Sequence, residues 1–265
     1  MRQIYKITPI YNGSFSVLLG YSSSGQDVRN IPSFVFLLTG DDEEKIIIDT
    51  GFATDYIPGL NSTYNRKPEE ELANALIEHK VYPDEIETVI LTHLHWDHAG
   101  GIPLFPNAEF ILQTQELYNL LEIDTKEECS YNPDHWLPSL DSFDLIDGDK
   151  QLRPGLKILR SGIHSPGHQM VEVTTNSGKI VLAGDAPFVY DAFWEAIPEK
   201  YWQMFQETSP QFFWDENVRP AIQAKLKESK KVKLNYPPIN LEKFKEEADM
   251  FLCTHNPKLK KIKEL

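Results

Sequence analysis

Strand-like and helix-like stretches interleave through both halves of this 265-residue chain. Several strands double back through tight turns, and no Gly-x-Gly-x-x-Gly or Walker loop opens a helix. These three observations predict an α/β fold with mixed sheets rather than a purely parallel nucleotide-binding sheet. Residues 4–7 and 14–19 are expected as short strands around the turn dipeptide Asn12-Gly13, and residues 22–27 as a loop. The apolar run 33–38 turns back at Gly40 to a second strand, 45–48, which delivers Asp49 into Asp49-Thr50-Gly51. Pro68-Glu69-Glu70-Glu71 opens a helix, with proline early and acids near its positive end. Leu72, Ala75, Leu76 and His79 mark one face of it. Residues 86–91 form a β-branched strand, 108–113 another, and 114–121 a helix with Leu117, Leu120 and Leu121 inward. Residues 124–142 are irregular. Strands follow at 143–147, 156–159, 170–174 and 179–183, and a last one, 250–255, ends in His255.

Composition bounds the partners. Apolar residues make up 41% of the chain and charged residues 25%, as in an ordinary globular protein. The net charge of −14 argues against nucleic acid or an anionic membrane as the main partner. No run approaches the roughly 20 apolar residues of a membrane span, and the opening residues lack a signal peptide's apolar segment. Cys129 and Cys253 form no Cys-x-x-Cys pair, so free thiols and a cytoplasmic location are expected. The chain is read as one domain, 1–265, with an aromatic-rich lid or insertion at about 188–247. There Tyr190, Phe193, Trp194, Tyr201, Trp202, Phe205, Phe212, Phe213 and Trp214 crowd together, followed by a lysine-rich helical stretch from Ala221 and a short helix capped by Asn240.

The chemistry concentrates in Thr92-His93-Leu94-His95-Trp96-Asp97-His98-Ala99-Gly100-Gly101. Three of the eight histidines fall within six residues there, just where a strand ends. A solvated loop has no physical need for three imidazoles beside a carboxylate, whereas a divalent metal such as zinc does. Gly100-Gly101 is expected to let the chain turn tightly. Two more histidines and an aspartate occur in the same strand-end context: His164 in Ser161-Gly162-Ile163-His164-Ser165-Pro166-Gly167-His168-Gln169, Asp185 after Gly184, and His255. With His93, His95, Asp97 and His98 they make seven donors, enough for two metal ions sharing a carboxylate.

These motifs, with Asp49-Thr50-Gly51 and in this order, resemble the metallo-β-lactamase superfamily over residues 1–187 and the final strand. The resemblance implies a four-layer αβ/βα sandwich. It implies one zinc held by His93, His95 and His164, a second by Asp97, His98 and His255, and Asp185 bridging the two. His168 is then structural. A bridging aspartate and a histidine at position 95 separate the chain from true β-lactamases and from di-iron members. The pattern is most similar to the N-acyl homoserine lactonases, through Pro32 and the His164–Gln169 turn. Two departures stand out: the tyrosine that lactonases carry three residues after the bridging aspartate is Phe188 here, the nearest phenol being Tyr190, and Asn256 follows the last histidine where lactonases have Asp.

The implied activity is hydrolysis of a lactone or related ester with an apolar acyl or aryl portion, by hydroxide generated at two zinc ions. Asp97 is the expected proton relay, Asp49 the residue that orients a ligand imidazole, and Tyr190 the replacement phenol. A glyoxalase II-like thioesterase is the alternative, and behind it stand a β-lactamase, a phosphodiesterase or a non-catalytic zinc-binding protein. The oligomeric state is left open, a homodimer included.

Overall fold

The computed structural model describes residues 3–17, 28–58, 62–123, 127–186, 214–228 and 248–265. Among them the strands are β1 (Tyr5–Val17), β2 (Val28–Gly40), β3 (Lys45–Ile48), β4 (Thr63–Asn65), β5 (Thr88–Ile90), β6 (Glu109–Gln113), β7 (Phe143–Ile146), β8 (Lys150–Arg153), β9 (Leu156–Arg160), β10 (Gln169–Thr175), β11 (Gly178–Leu182) and β12 (Met250–Leu252). The helices are α1 (Leu72–Glu78), α2 (Trp96–Ala99), α3 (Thr114–Leu121), α4 (Pro133–Trp136) and α5 (Arg219–Glu228). One sheet runs β4-β1-β2-β3-β5-β6-β7, the other β12-β11-β10-β9-β8.

Both sheets are mixed, as the alternation of hairpins and helices requires. β1, β2 and β3 pair antiparallel, while β3, β5, β6 and β7 are parallel. In the second sheet β12 runs parallel to β11, and the other pairs are antiparallel. Alternate residues of the continuous apolar run in β3 serve two cores. Ile46 and Ile48 face the second sheet with Phe34, Phe36, Leu156, Val171 and Ile180. Ile47 faces outward to a helical layer with Val89, Leu76, Leu117 and Ile222. A strand covered on both faces must be apolar throughout, which is why its sequence does not alternate. The outer face of the second sheet carries Leu159, Met170 and Val181 against Ala248 and Phe251. The fold is the mixed α/β sandwich expected.

Several local expectations change. β1 is one strand, not two. Asn12-Gly13 is a bulge, since Tyr11 pairs with Phe34 and Ser14 with Pro32, three steps on one strand against two on the other. Gly13 takes φ +92°, which frees Asn12 to turn inward. Its buried Oδ1 accepts from the Phe52 amide at 3.1 Å and from Arg66 Nη2 at 2.7 Å, tying the bulge to the loop after β3. Pro68–Glu70 is a separate 3-10 turn before α1, and His79 ends α1 exposed while Leu72, Ala75 and Leu76 are buried. Leu121 is half-buried beside the buried Leu117 and Leu120. Trp214 lies in the core with Val218 and Ile222, so the end of the aromatic run is packing. The rest of that run, with Phe188, Tyr190, Trp194, Trp202, Asn240 and the lysines beyond 228, lies outside the described residues, as does the 22–27 loop.

Candidate metal centre

Topology brings the donors together. β9 and β11 are each antiparallel to β10, and β12 is parallel to β11, so β9, β11 and β12 end at the same edge of their sheet. His164, Asp185 and His255 follow those three ends. β3 and β5 run parallel in the facing sheet, and Asp49 and His93 follow theirs. Gln169 joins the two edges, its Nε2 donating to Leu91 O at 2.7 Å and to Ile111 O at 3.1 Å.

Within the motif the intervening residues are anchors. Leu94 is fully buried in the helical-side core, and Trp96 packs against Phe15 and Phe52 at ring separations of 4.7 and 6.0 Å. Gly100 and Gly101 have ordinary helical and bridge conformations, φ −64° and −92°. They are needed for closeness instead: a Cβ would lie 2.4 Å from Ala53 N at the first and 2.4 Å from Thr50 O at the second. That contact lets Thr50 N donate to His98 O at 2.7 Å and Gly100 N to Gly51 O at 2.9 Å.

Three overlapping groups of donor atoms result, each within 4.8 Å of one another: His93, His95 and His164; His93, His98 and Asp185; and Asp97, His98 and His255. His95 Nδ1 faces His164 Nε2 at 3.0 Å. The two Asp185 oxygens divide between the outer groups. Oδ2 is 3.8 Å from His164 Nε2, while Oδ1 is 3.5 Å from His98 Nε2 and 3.3 Å from His255 Nε2. Asp97 Oδ2 is 3.3 Å from His255 Nε2. All seven sequence-predicted donors of the described residues therefore converge. Tyr190 lies outside those residues.

Outer contacts aim the rings. Asp49, at φ +58°, bends back so that Oδ2 accepts from His98 Nδ1 at 2.8 Å and Oδ1 from Thr92 N at 2.7 Å. His255 Nδ1 donates to Pro32 O at 2.8 Å. In both rings Nδ1 is held by that contact and Nε2 is turned to the centre. His168 is engaged elsewhere: its Nδ1 meets Ser161 Oγ at 2.5 Å and its Nε2 accepts from Asp185 N at 3.2 Å. It holds the backbone of the aspartate between the groups. Asn256 caps the turn Pro257–Lys261 by accepting from Lys258 N at 3.0 Å.

The donors fit divalent cations. His93 Nε2 is a buried atom with no hydrogen-bond partner, an arrangement whose cost a cation removes. Burial, reinforced by neighbouring imidazoles, holds His93 and His95 well below the usual histidine range, so their lone pairs are available. Burial opposes charge on His98 and His255 too, but carboxylates prevail. Asp185, Asp49 and Asp97 keep His98 well above its ordinary value, and Asp185 and Asp97 push His255 up to about 10. That half of the centre favours positive charge, which a proton or a metal can supply.

Glu116 was not singled out in the sequence. It is fully buried at the start of α3, and its carboxylate reaches the loops that carry His93, His95 and His164. A glutamate in the first turn of a helix reads as a favourable end charge, so position alone did not mark it.

The comparisons with known proteins agree with this geometry. A family model described as the metallo-beta-lactamase superfamily matches residues 28–230. An N-acyl homoserine lactonase of Bacillus thuringiensis is 33% identical over 180 residues, covering 64% of this chain and 69% of that protein. The N-acyl homoserine lactonase of Bacillus cereus is 31% identical over 183 residues, covering 65% and 70%. In structure, a B. thuringiensis AiiA variant with N-decanoyl-L-homoserine bound superposes with a TM-score of 0.66 at 23% identity, covering 98% of this chain and 96% of that one. A probable metal-dependent hydrolase from Staphylococcus aureus superposes with a TM-score of 0.58 at 20% identity, covering 78% and 85%. With the fold, the donor clusters and the match over most of its length in agreement, the chain belongs to the metallo-β-lactamase superfamily.

Proposed function

We propose that this chain is a di-zinc hydrolase that opens a lactone or a closely related carboxylic ester. The carrying observation is Asp185, whose two oxygens face separate histidine groups across a few ångströms. A carboxylate so placed suits a pair of cations better than one. The imidazole and carboxylate donor set suits zinc, though other divalent metals share those preferences. The substrate class rests on relatives named N-acyl homoserine lactonases at 31–33% identity.

In this reading His93, His95 and His164 hold one ion, Asp97, His98 and His255 the other, and Asp185 lies between. When bound, such a pair supplies Lewis acidity toward a carbonyl and ionises water near neutral pH, as one zinc does by lowering its pKa to about 7. The chain supplies orientation and proton transfer. Asp49 Oδ2 and Pro32 O keep two rings aimed. Asp97, beside His255 Nε2 at 3.3 Å, carries a proton on its carboxylate to the departing alkoxide. Tyr190 stands in for the phenol missing at Phe188 by donating to the carbonyl oxygen, and the aromatic stretch within 188–247 provides the apolar wall for the acyl or aryl group. A single-domain chain, 1–265, acting in the cytoplasm belongs to the same proposal, with the sparse cysteine usage, two in the chain and no Cys-x-x-Cys, in support.

The test is elemental analysis of freshly purified protein, followed by a hydrolysis panel of lactones, thioesters, cephalosporins and phosphodiesters. Two metals per chain and preferential lactone opening are expected. Full metal loading without lactone turnover would overturn the substrate reading. Unchanged kcat in Tyr190→Phe at full metal content would remove Tyr190 from the mechanism.

A further inference from the structure

One buried carboxylate reaches both loops that bear the first histidine group. Glu116 Oε1 accepts from the amide of Leu94, the residue between His93 and His95, at 3.1 Å. Its Oε2 accepts from Ser165 Oγ, next to His164, at 2.6 Å. The amide of Gly167 donates to the same carboxylate. The contact is tight as well as polar, because a Cβ on Gly167 would lie 2.2 Å from Glu116 N and 2.4 Å from its Cα. The turn after β9 is thus pressed onto the first residues of α3 and bolted there.

The geometry points to Glu116 as a positioning residue that sets the separation of His93 and His95 from His164, and so governs the affinity and geometry of the metal held by that group. This deepens the proposed function and rests on its metal-centre reading.

Several features support a positioning role over simple packing. The Glu116 carboxylate is fully buried, and burying a charge away from water is costly unless its bonds are good. Three donors converge on it, and a carboxylate is the side chain that accepts without donating. Its partners are not scattered through the core: each is adjacent to a metal-donor histidine or belongs to its turn. The loops it joins come from different sheets, and the main-chain bond between them, Gln169 N to Thr92 O at 2.8 Å, lies before His93 and after His168, outside the stretches of Leu94 and Ser165 that Glu116 bridges. The group it braces also lacks a carboxylate among its own three donors.

The test uses Glu116→Gln, which keeps the volume but turns an amide N–H₂ toward a donor, and Ser165→Ala, which removes one bond and leaves the carboxylate. Both are titrated with Zn²⁺ against a chromophoric chelator and with Co²⁺, whose visible spectrum reports site geometry. His164→Ala marks the spectrum of the first group and Asp49→Asn that of the second. The expected result is a roughly 10–100-fold loss of affinity at one site in Glu116→Gln, the range for losing an outer-sphere partner. Ser165→Ala should show a smaller loss at the same site. The altered cobalt band should be the one altered in His164→Ala, and the metal-free proteins should melt near the wild type. Wild-type affinities and spectra in both variants would overturn the proposal, as would parallel weakening of both sites in step with lost metal-free stability. A wild type that binds no metal pair would overturn the metal-centre reading itself, and this inference with it.

Discussion

The two ends of the centre are built on opposite electrostatic plans. His93, His95 and His164 are all imidazoles, and burial among one another holds His93 and His95 neutral. His98 and His255 sit among carboxylates that raise both rings above the ordinary histidine value although burial opposes this. Asp185 lies between, and His98 and His255 hold its carboxyl well below the usual carboxylate range although burial opposes this. The supports differ likewise. At the second end the outer partners, Asp49 and Pro32 O, grip the rings themselves. At the first, Glu116 grips the backbone and a hydroxyl beside the rings. Similar ligands can therefore be made ready in two ways: by keeping lone pairs empty of protons, or by surrounding them with charge that a metal can replace.

The largest departure should come from Asp185→Asn, which removes the one charge shared by both ends. Metal affinity and kcat/KM should fall by more than the roughly 10–100-fold expected for an outer partner, with the second metal lost on dialysis. Retention of two tight metals would break the comparison at its centre.

Asp49→Asn comes next, and its effect should be one-sided. The amide can still meet Thr92 N but no longer offers a charge to His98 Nδ1, so affinity at the second end should drop by about 10–100-fold while the first keeps its own. Equal losses at both ends, read by cobalt spectra, would show that the ends are not independent.

His164→Ala and His168→Ala sharpen the contrast between a donor and a support. The first should remove one metal with little change in the melting of the metal-free protein. The second orphans the buried Asp185 amide and should lower stability by about 1–3 kcal/mol in denaturant titration. Exchange of these phenotypes would reverse the roles assigned within the turn.

The smallest effect is in protons. A metal binds only a deprotonated imidazole. His255, pushed up to about 10, and His98, raised above its ordinary value, hold protons more tightly than a free imidazole, so loading the second end should release protons. The sign follows: acidification below the raised values strengthens proton competition, and affinity at that end should fall as pH drops. His93 and His95, held low, should release none. Calorimetry in buffers of differing ionisation enthalpy checks both; equal release from the two ends would contradict the electrostatic division.

Sequence reading was strongest where the signal is local. The β3 run, the helix over Thr114–Leu121 and the strand-end donors are legible because strand period, helix period and ligand spacing are short-range properties. β4 and β8 were missed for the converse reason. Thr63–Asn65 is short and wholly exposed, and Lys150–Arg153 is exposed or half-buried throughout, so neither carries an alternating apolar pattern. Asn12-Gly13 was read as a turn because the same residues that favour a turn also favour a bulge, and only the partner strand distinguishes them.

By itself, then, the sequence determined the kind of chemistry: seven nitrogen and oxygen donors at strand ends, in an order that resembles one superfamily. It could not determine what aims those donors. Asp49 meets His98 across 49 positions, Ser165 meets Glu116 across 49, and His255 meets Pro32 across 223. Such bonds exist only once distant strands have paired and the two sheets have packed face to face, excluding water. Burial then makes each unpaired atom costly and each paired one selective, and a buried group's partner is chosen by packing rather than by its neighbours in the chain.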